Sequence, residues 1–244
     1  LGVEKIQKLS THFVLTDNKG EKHEADWVIL GSGVMDVQPL FGESLEPIFP
    51  FANAQLIDYC LRCDGHHIMN KPTAVIGHTS SAAWVAIMLY ERYRPPSMHL
   101  MGHGEAFQFD DQTRELMDMY GIQRHQSPLT LLHGDAKLNS FEGFTLENGS
   151  RVSVNIGFVS LGMIVYNDLA KQLGATVDGR GFIVAENVGL TSVPGFYVAG
   201  DVMAGTKKQI YTAWDTAVDA ADAINMKIRS EQREKALIEF RKKS

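Results

Sequence analysis

Two patterns of apolar residues alternate along the chain and predict a mixed α/β fold. Three continuous apolar runs end in glycine or Gly-Asp: residues 26–33, 71–77 and 196–202. Such runs are typical of strands that are buried on both faces of a parallel sheet. Three other stretches carry apolar residues at helical spacing: residues 78–89, 110–120 and 208–229. A strand followed by a glycine turn and a helix is the unit of a nucleotide-binding, Rossmann-like α/β fold.

A hairpin followed by an apolar strand occurs twice. Residues 13–24 predict two strands joined by an Asn/Gly turn, and the next strand ends at Gly31. Residues 144–155 repeat the hairpin, and the following strand ends at Gly162. A strand–turn–helix unit precedes only the second copy, so we expect the chain to begin inside a domain that lacks its first βαβ unit. The alternative is a chance likeness between two common hairpins.

The stretch between the first two apolar strands, residues 34–53, contains Pro39, Pro47 and Pro50. Prolines at this density interrupt regular structure, so we predict an irregular linker. We place one domain boundary at its end, between residues 52 and 53, and a second between residues 157 and 158.

Composition excludes several function classes. The 244 residues carry a formal net charge of −6, which gives no electrostatic reason for binding nucleic acid or an anionic membrane. No apolar run approaches the roughly 20 residues that cross a bilayer. The first residues lack the apolar core of a signal peptide. We therefore expect a cytoplasmic protein with neither nucleic acid nor membrane as a partner.

Cys60 and Cys63 are the two cysteines of the chain, and their Cys-X-X-Cys spacing suits a reversible redox disulfide. The environment of such a pair can lower one thiol pKa to about 7 or below, which leaves a thiolate at neutral pH. A zinc site is an alternative, but it would need two more ligands, such as His78 and His103 brought close by the fold. A purely structural disulfide is the third possibility.

The turn after the second apolar strand carries a degraded phosphate-binding pattern. In the pattern Gly-X-Gly-X-X-Ala, the last position is Ala82 and the turn is formed by Gly77, Thr79, Ser80 and Ser81. Backbone N–H groups at a helix N-terminus bind phosphate. Thr79 replaces the glycine that lets a pyrophosphate approach, so the pattern predicts the fold more strongly than the binding.

The last apolar strand ends in Gly200-Asp201, and a long helix follows. An Asp at this position can accept a hydrogen bond from a sugar hydroxyl, and the helix N-terminus can stabilise negative charge. The plain alternative makes Asp201 a cap and Trp214 a core aromatic.

Three blocks in this order resemble the thioredoxin reductase family, the low-molecular-weight pyridine nucleotide-disulfide oxidoreductases. They are residues 60–65, residues 73–82, and residues 199–202 with 208–213. The resemblance implies two Rossmann-like, three-layer domains. One is an FAD domain that is incomplete at its N-terminus, formed by residues 1–52 and 158–244. The other is an NAD(P)H-like domain that carries the disulfide, residues 53–157.

By this resemblance the protein is a homodimeric flavoprotein in which FAD passes electrons from NADPH to the disulfide and on to a thioredoxin-like protein. Cys63 would face the flavin, Cys60 would attack the substrate, and Asp64 would protonate a leaving thiolate. A non-catalytic relative that keeps the fold without electron transfer is the alternative. The resemblance gives two sets of cofactor residues: Gly31, Gly33, Gly200, Asp201, Lys208, Gln209 and Ile210 for FAD, and Gly77, Thr79, Ser80 and Ser81 for NADPH.

The chain departs from the family pattern after residue 101. The arginines that clamp the 2′-phosphate of NADPH are replaced by Gly102-His103-Gly104-Glu105. Losing bidentate Arg–phosphate bonds predicts weak NADPH binding and leaves ferredoxin or another donor open. Since the front half of the FAD site is expected to be missing, we also expect this chain to bind FAD poorly.

Overall fold

The computed structural model describes residues 2–243, and the chain divides into two compact units. The first comprises Leu1–Met35 and Ile164–Ser244, and the second comprises Asp36–Met163. The boundaries placed from the sequence, after residues 52 and 157, both fall within the second unit. The assignment of the units to FAD and NAD(P)H-like domains stays a prediction.

Strands and α-helices alternate between residues 49 and 125, and runs of consecutive strands lie before and after this stretch. The strands are β1 (Val3–Lys8), β2 (Phe13–Asp17), β3 (Lys22–Ala25), β4 (Val28–Leu30), β5 (Val34–Asp36), β6 (Ile57–Asp58), β7 (Thr73–Ile76), β8 (Met98–Met101), β9 (Gln123–His125), β10 (Leu129–Asp135), β11 (Ser140–Leu146), β12 (Arg151–Val152), β13 (Ile156–Val159), β14 (Met163–Val165) and β15 (Phe196–Val198). The α-helices are α1 (Phe49–Asn53), α2 (Leu61–Asp64), α3 (Ser80–Tyr93), α4 (Asp111–Met119), α5 (Asp168–Gln172) and α6 (Ile210–Lys243). None of the helices in residues 2–243 combines the length and apolarity needed to cross a membrane.

The second unit is built on a five-stranded parallel sheet in the order β6-β13-β7-β8-β9. Every residue of β7, β8 and β13 is buried, as expected for central strands covered on both faces. The α/β class with a Rossmann-type parallel sheet is therefore confirmed. The carboxyl ends of β6 and β7 lead directly into the two segments that the sequence marked for chemistry.

The predicted linker over residues 34–53 is wrong in part. It contains β5 and the helix α1, and Pro50 lies in the first turn of α1, where its missing N–H breaks no helical bond. Phe51 of α1 is buried against Phe141, with ring centroids 5.2 Å apart, and Phe141 packs edge-on against Phe144 at 5.1 Å. Tertiary packing of Phe51 thus makes regular structure where local composition predicts none.

The first unit combines the antiparallel meander β1-β2-β3 with a parallel pair, β15-β4. Phe13 of β2 and Phe196 of β15 are almost fully buried, and their rings lie 6.3 Å apart. The helix α6 begins beyond β15 and runs for 34 residues. The hairpin and the apolar strands predicted for this part of the chain are present.

A buried histidine, His99, and a half-buried one, His125, lie side by side in the parallel sheet of the second unit. His99 Nδ1 lies 3.1 Å from His125 Nε2, and His99 Nε2 lies 3.0 Å from the Ser97 hydroxyl. Burial is the main cause that lowers the pKa of His99 from 6.5 to about 4, and the neighbouring His125 adds to it. The folded chain therefore holds His99 in its neutral form.

The free energy of unfolding should decrease as the pH is lowered, because of His99. The unfolded imidazole binds a proton below about pH 6.5, whereas the folded one does so only near pH 4, so the stabilisation present above pH 6.5 is lost as the pH falls through this window. We expect a loss of about 3 kcal/mol in the free energy of unfolding, measured by urea titration at both ends of the window. His99→Gln should remove the part of this loss that His99 causes, while the pKa of His125, which burial also lowers, retains a part of it. His66→Gln, at an exposed histidine, should leave the loss unchanged. An equal acid loss in the wild type and His99→Gln would contradict the assignment.

Candidate active site

Cys60 and Cys63 form a disulfide at the end of β6. Cys60 is the N-cap of α2: its sulfur accepts a hydrogen bond from the Cys63 N–H at 3.2 Å, and its carbonyl accepts one from the Asp64 N–H at 2.9 Å. Capping ties the short helix to the strand that precedes it. Cys63 is exposed and Cys60 is half-buried, so the disulfide is accessible at the surface of its unit.

Asp64 is the ionisable group beside the two sulfurs. One of its carboxylate oxygens and both sulfur atoms all lie within 4.8 Å of one another. The structure thus brings together the three residues predicted to be catalytic, Cys60, Cys63 and Asp64. Their roles stay a prediction.

A hydrogen-bonded Asp–His pair borders the disulfide segment. Asp58, the last residue of β6, is 5% exposed, and its Oδ2 lies 2.9 Å from Nδ1 of His67. Burial raises the pKa of the Asp58 carboxyl, and the hydrogen bond and charge of His67 act in the opposite direction. Sequence analysis did not find this pair. The two residues are nine positions apart, a spacing with no local pattern, and the one available signal was an acidic residue at the end of an apolar run.

Four of the seven residues predicted to bind FAD line one cavity in the first unit. Its volume is about 310 Å³, and its lining comprises Gly31, Gly33, Ala199, Gly200, Asp201, Ala213 and Ala217. These residues follow the carboxyl ends of the parallel strands β4 and β15 or lie in the first turns of α6, the edge where open α/β sheets bind ligands.

The glycines keep this cavity open. A Cβ atom added at Gly31 or Gly33 would meet no atom within 4 Å and would project into free space. Gly200 has φ +75°, which favours glycine, and a Cβ there would lie 3.6 Å from the Cβ of Ala213. A ligand can therefore approach the backbone closely at all three positions.

Lys208, Gln209 and Ile210 lie where the chain enters α6. The ammonium of Lys208 donates to the carbonyl of Met203 at 2.8 Å and to the hydroxyl of Thr206 at 3.0 Å. Burial lowers its pKa. The Gln209 side chain donates to the Lys208 carbonyl at 2.8 Å, and Ile210 is 72% exposed. The contacts of Lys208 hold the loop together, and the FAD contacts predicted for this segment stay a prediction.

Trp214 is 70% exposed, so the alternative that makes it a core aromatic is wrong. It lies one turn into α6, on a face that also presents Ile210 and Val218. Helical spacing alone cannot distinguish an exposed apolar face from a buried one.

The turn predicted to bind a second nucleotide joins β7 to α3. A Cβ at Gly77 would lie 2.5 Å from both the Ala82 Cβ and the Ser160 carbonyl oxygen, so only glycine fits between strand and helix. Thr79 is the N-cap of α3, and the Ser80 hydroxyl donates to the Gln108 carbonyl at 3.2 Å. Ser81 follows in the first turn of α3. The four predicted residues are together, and nucleotide binding by them stays a prediction.

The loop in place of the arginine clamp has structural hydrogen bonds of its own. His103 Nδ1 accepts a hydrogen bond from the Leu129 N–H at 3.0 Å, and the Gly104 N–H donates to the Gln126 carbonyl at 2.7 Å. Burial lowers the pKa of His103, which favours its neutral form. Glu105 is exposed. A neutral histidine and a carboxylate cannot replace a bidentate guanidinium at a phosphate.

Known proteins match most of this chain. Residues 1–221 match the family model described as pyridine nucleotide-disulphide oxidoreductase. Thioredoxin reductase of Mycoplasma genitalium is 29% identical over 168 residues, which are 67% of this chain and 53% of that protein. The chain spans about half the length of the curated relatives that it matches first, 53% and 54%.

Solved structures share the fold. Thioredoxin reductase from Streptococcus pyogenes aligns with a TM-score of 0.80 at 19% identity, covering 93% of this chain and 73% of that one. HlmI aligns with a TM-score of 0.81 at 21% identity, covering 97% and 72%. At these identities the likeness establishes the fold and nothing finer.

The disulfide should be reducible and should account for both cysteines of the sequence. Intact mass after iodoacetamide treatment should show no adduct before reduction and two after it, because both sulfurs lie in an accessible surface segment. Cys60→Ser should carry one adduct with or without reduction. Alkylation of the untreated wild type, or resistance to excess dithiothreitol, would contradict the expectation.

Proposed function

Because the chain belongs to the pyridine nucleotide-disulphide oxidoreductase family, as its motifs predicted, we propose that it serves as a thioredoxin reductase-like flavoenzyme. In this function bound FAD would supply the electrons that reduce the Cys60–Cys63 disulfide, and the reduced pair would pass them to a thioredoxin-like protein. The observation that carries the proposal is the accessible disulfide with the Asp64 carboxylate within 4.8 Å of both sulfurs. A homodimeric state and a cytoplasmic location stay predictions.

The cavity in the first unit fits part of an FAD molecule. Gly31, Gly33 and Gly200 leave room where side chains would block a flat or charged ligand, and Asp201 supplies an acceptor for a hydroxyl. The cavity volume of about 310 Å³ is smaller than the volume needed to enclose a whole FAD molecule. These residues would therefore hold one portion of FAD. When bound, FAD would supply reversible two-electron transfer to a disulfide.

The disulfide chemistry uses three residues of the second unit. Reduction breaks the S–S bond with two electrons and two protons and leaves two thiols. We assign Asp64 to protonate the sulfur that leaves, and Cys63 to face the electron donor. The Cys60 thiolate then attacks a disulfide of the protein substrate, and Cys63 displaces the resulting mixed disulfide. The substrate leaves as a dithiol, and the Cys60–Cys63 disulfide is restored.

The donor is the point at which this chain differs from the family pattern. The loop at residues 102–105 carries no arginine, and its His103 and Gly104 bond to neighbouring backbone. We therefore propose that NADPH is a poor donor and that ferredoxin or another reductant takes its place. The altered loop also favours a second candidate, a non-catalytic relative, which predicts that no flavin binds and that Cys60→Ser changes nothing.

Asp201 should contribute to FAD affinity. Removing an acceptor that bonds a ligand hydroxyl costs about 1.5 kcal/mol, so Asp201→Ala should raise the FAD dissociation constant roughly tenfold in a flavin fluorescence titration. Asp219→Ala is the matched control on the exposed face of α6 and should leave the constant unchanged. An Asp201→Ala protein that binds FAD as tightly as the wild type would contradict the role given to Asp201.

Reduction of the flavin-loaded protein should depend on the donor. In stopped-flow mixing with NADPH, NADH and reduced ferredoxin in parallel, NADPH should bleach the flavin slowly, because the loop at residues 102–105 carries no guanidinium for its 2′-phosphate. Cys63→Ser should alter the flavin spectrum, since the sulfur proposed to contact it is lost. Rapid bleaching by NADPH would overturn the inference about the loop and leave the rest of the proposed function standing.

A further inference from the structure

Asp58 and His67 lie on either side of the disulfide segment in the sequence, and their side chains meet in the fold. Asp58 is two positions before Cys60, and His67 lies four positions after Cys63 in the 3₁₀ turn Gly65–Ile68. Their 2.9 Å contact joins the two ends of the segment. A carboxylate that is 5% exposed is costly to keep ionised unless it has a partner, and His67 is the partner that the structure provides.

Asp64 connects this pair to the sulfurs. One ligating atom from each of Asp58, Asp64 and His67 lies within 4.8 Å of the others, and the same limit holds for Asp64 with the sulfurs of Cys60 and Cys63. Gaps of this size are closed by a side-chain rotation or by one bridging water. Asp58 is buried, Asp64 and His67 are half-buried and Cys63 is exposed, so the series runs from the interior of the unit to the disulfide at its surface.

Other ionisable groups surround the series. The helix α3 packs against this segment, with the Tyr93 ring beside Gly65, and Arg92 donates to the Tyr93 hydroxyl at 3.3 Å. The remaining groups are His66, whose ring centroid lies 4.4 Å from that of His67, and Tyr59, whose hydroxyl donates to Gln38, with Asp36 near it. His66 is exposed, which makes it a natural control for His67.

We propose that Asp58 and His67 form a proton-holding dyad that returns a proton to Asp64 each time the Cys60–Cys63 disulfide is reduced. The inference rests on the role given to Asp64 in the proposed function. His67 is a positioning residue, because it gives its proton to Asp64 and does not itself contact the sulfurs that react. Asp58 orients the ring and balances its charge when it is protonated, as carboxylates do for catalytic histidines.

With a dithiol as reductant, the step balances as follows. A thiolate of the reductant attacks one sulfur, the S–S bond breaks, and the other sulfur leaves with the electron pair. The leaving sulfur takes a proton from Asp64, and Asp64 takes one from the imidazolium of His67, which regains it from solvent. The second thiol of the reductant displaces the remaining protein sulfur and gives it its proton. The products are two protein thiols and a cyclic disulfide.

The test measures single-turnover reduction of the disulfide by dithiothreitol, so it requires no flavin. The rate is followed by acid quench and intact mass, and each variant is compared with the wild type at the same pH, which cancels the titration of the reductant. Gln at position 67 can still donate to Asp58 but carries no proton to transfer. We expect His67→Gln to slow reduction about tenfold near pH 6, and to approach the wild-type rate near pH 9, where the leaving thiolate needs no proton.

The control variants separate a proton role from a structural one. Asp58→Asn should shift the pH profile in the same direction as His67→Gln, and His66→Gln should follow the wild type at every pH. Thermal unfolding of each variant establishes that it is folded. Slowing by one constant factor across the pH range, or no slowing in His67→Gln, would overturn the dyad.

Asp64→Asn distinguishes this inference from the proposed function. If Asp64→Asn is slowed at low pH and His67→Gln is not, the dyad is wrong and the role of Asp64 stands. If Asp64→Asn reduces as fast as the wild type, the acid role given to Asp64 fails and the dyad fails with it.

Discussion

The pairing of β6 with β13 is the constraint on which the candidate site depends. Ile57 pairs with Gly157 and Asp58 with Phe158, in parallel, at the edge of a buried sheet. A Cβ at Gly157 would lie 3.2 Å from the Ile57 side chain, so glycine allows the two strands to fit closely. This pairing fixes the end of β6, and with it the point from which the cysteine segment leaves the sheet. The disulfide therefore has a rigid base although its own helix is a single turn.

The carboxyl end of a parallel strand concentrates chemistry in both units. In the second unit, β6 leads into the disulfide and β7 into the turn at Gly77. In the first unit, β4 and β15 lead into the glycines and Asp201 that line one cavity. Backbone N–H groups and short side chains beyond the strand ends can contact a ligand. Backbone groups within the sheet are already hydrogen-bonded to the neighbouring strands.

The segment around Cys60 combines polar groups of different exposure. Asp58 is buried and paired, Asp64 is half-buried, and Cys63 is exposed. Burial therefore decreases from the Asp58 carboxylate to the Cys63 sulfur. The loop at residues 102–105 contains the half-buried His103 and the exposed Glu105. The hydrogen bonds of His103 and Gly104 go to the backbone of Leu129 and Gln126 and hold this loop in place.

The sequence by itself determined the features that depend on near neighbours. Apolar runs ending in glycine gave the parallel strands, the helical spacing of residues 110–120 gave α4, and the spacing of Cys60 and Cys63 gave the disulfide. Only the tertiary structure decided that Asp58 bonds His67, that Phe51 turns a proline-rich stretch into a packed helix, and that Trp214 lies outside the core. Strand period, caps and turns depend on contacts within a few residues, whereas these three outcomes depend on which surfaces the folded sheet brings together.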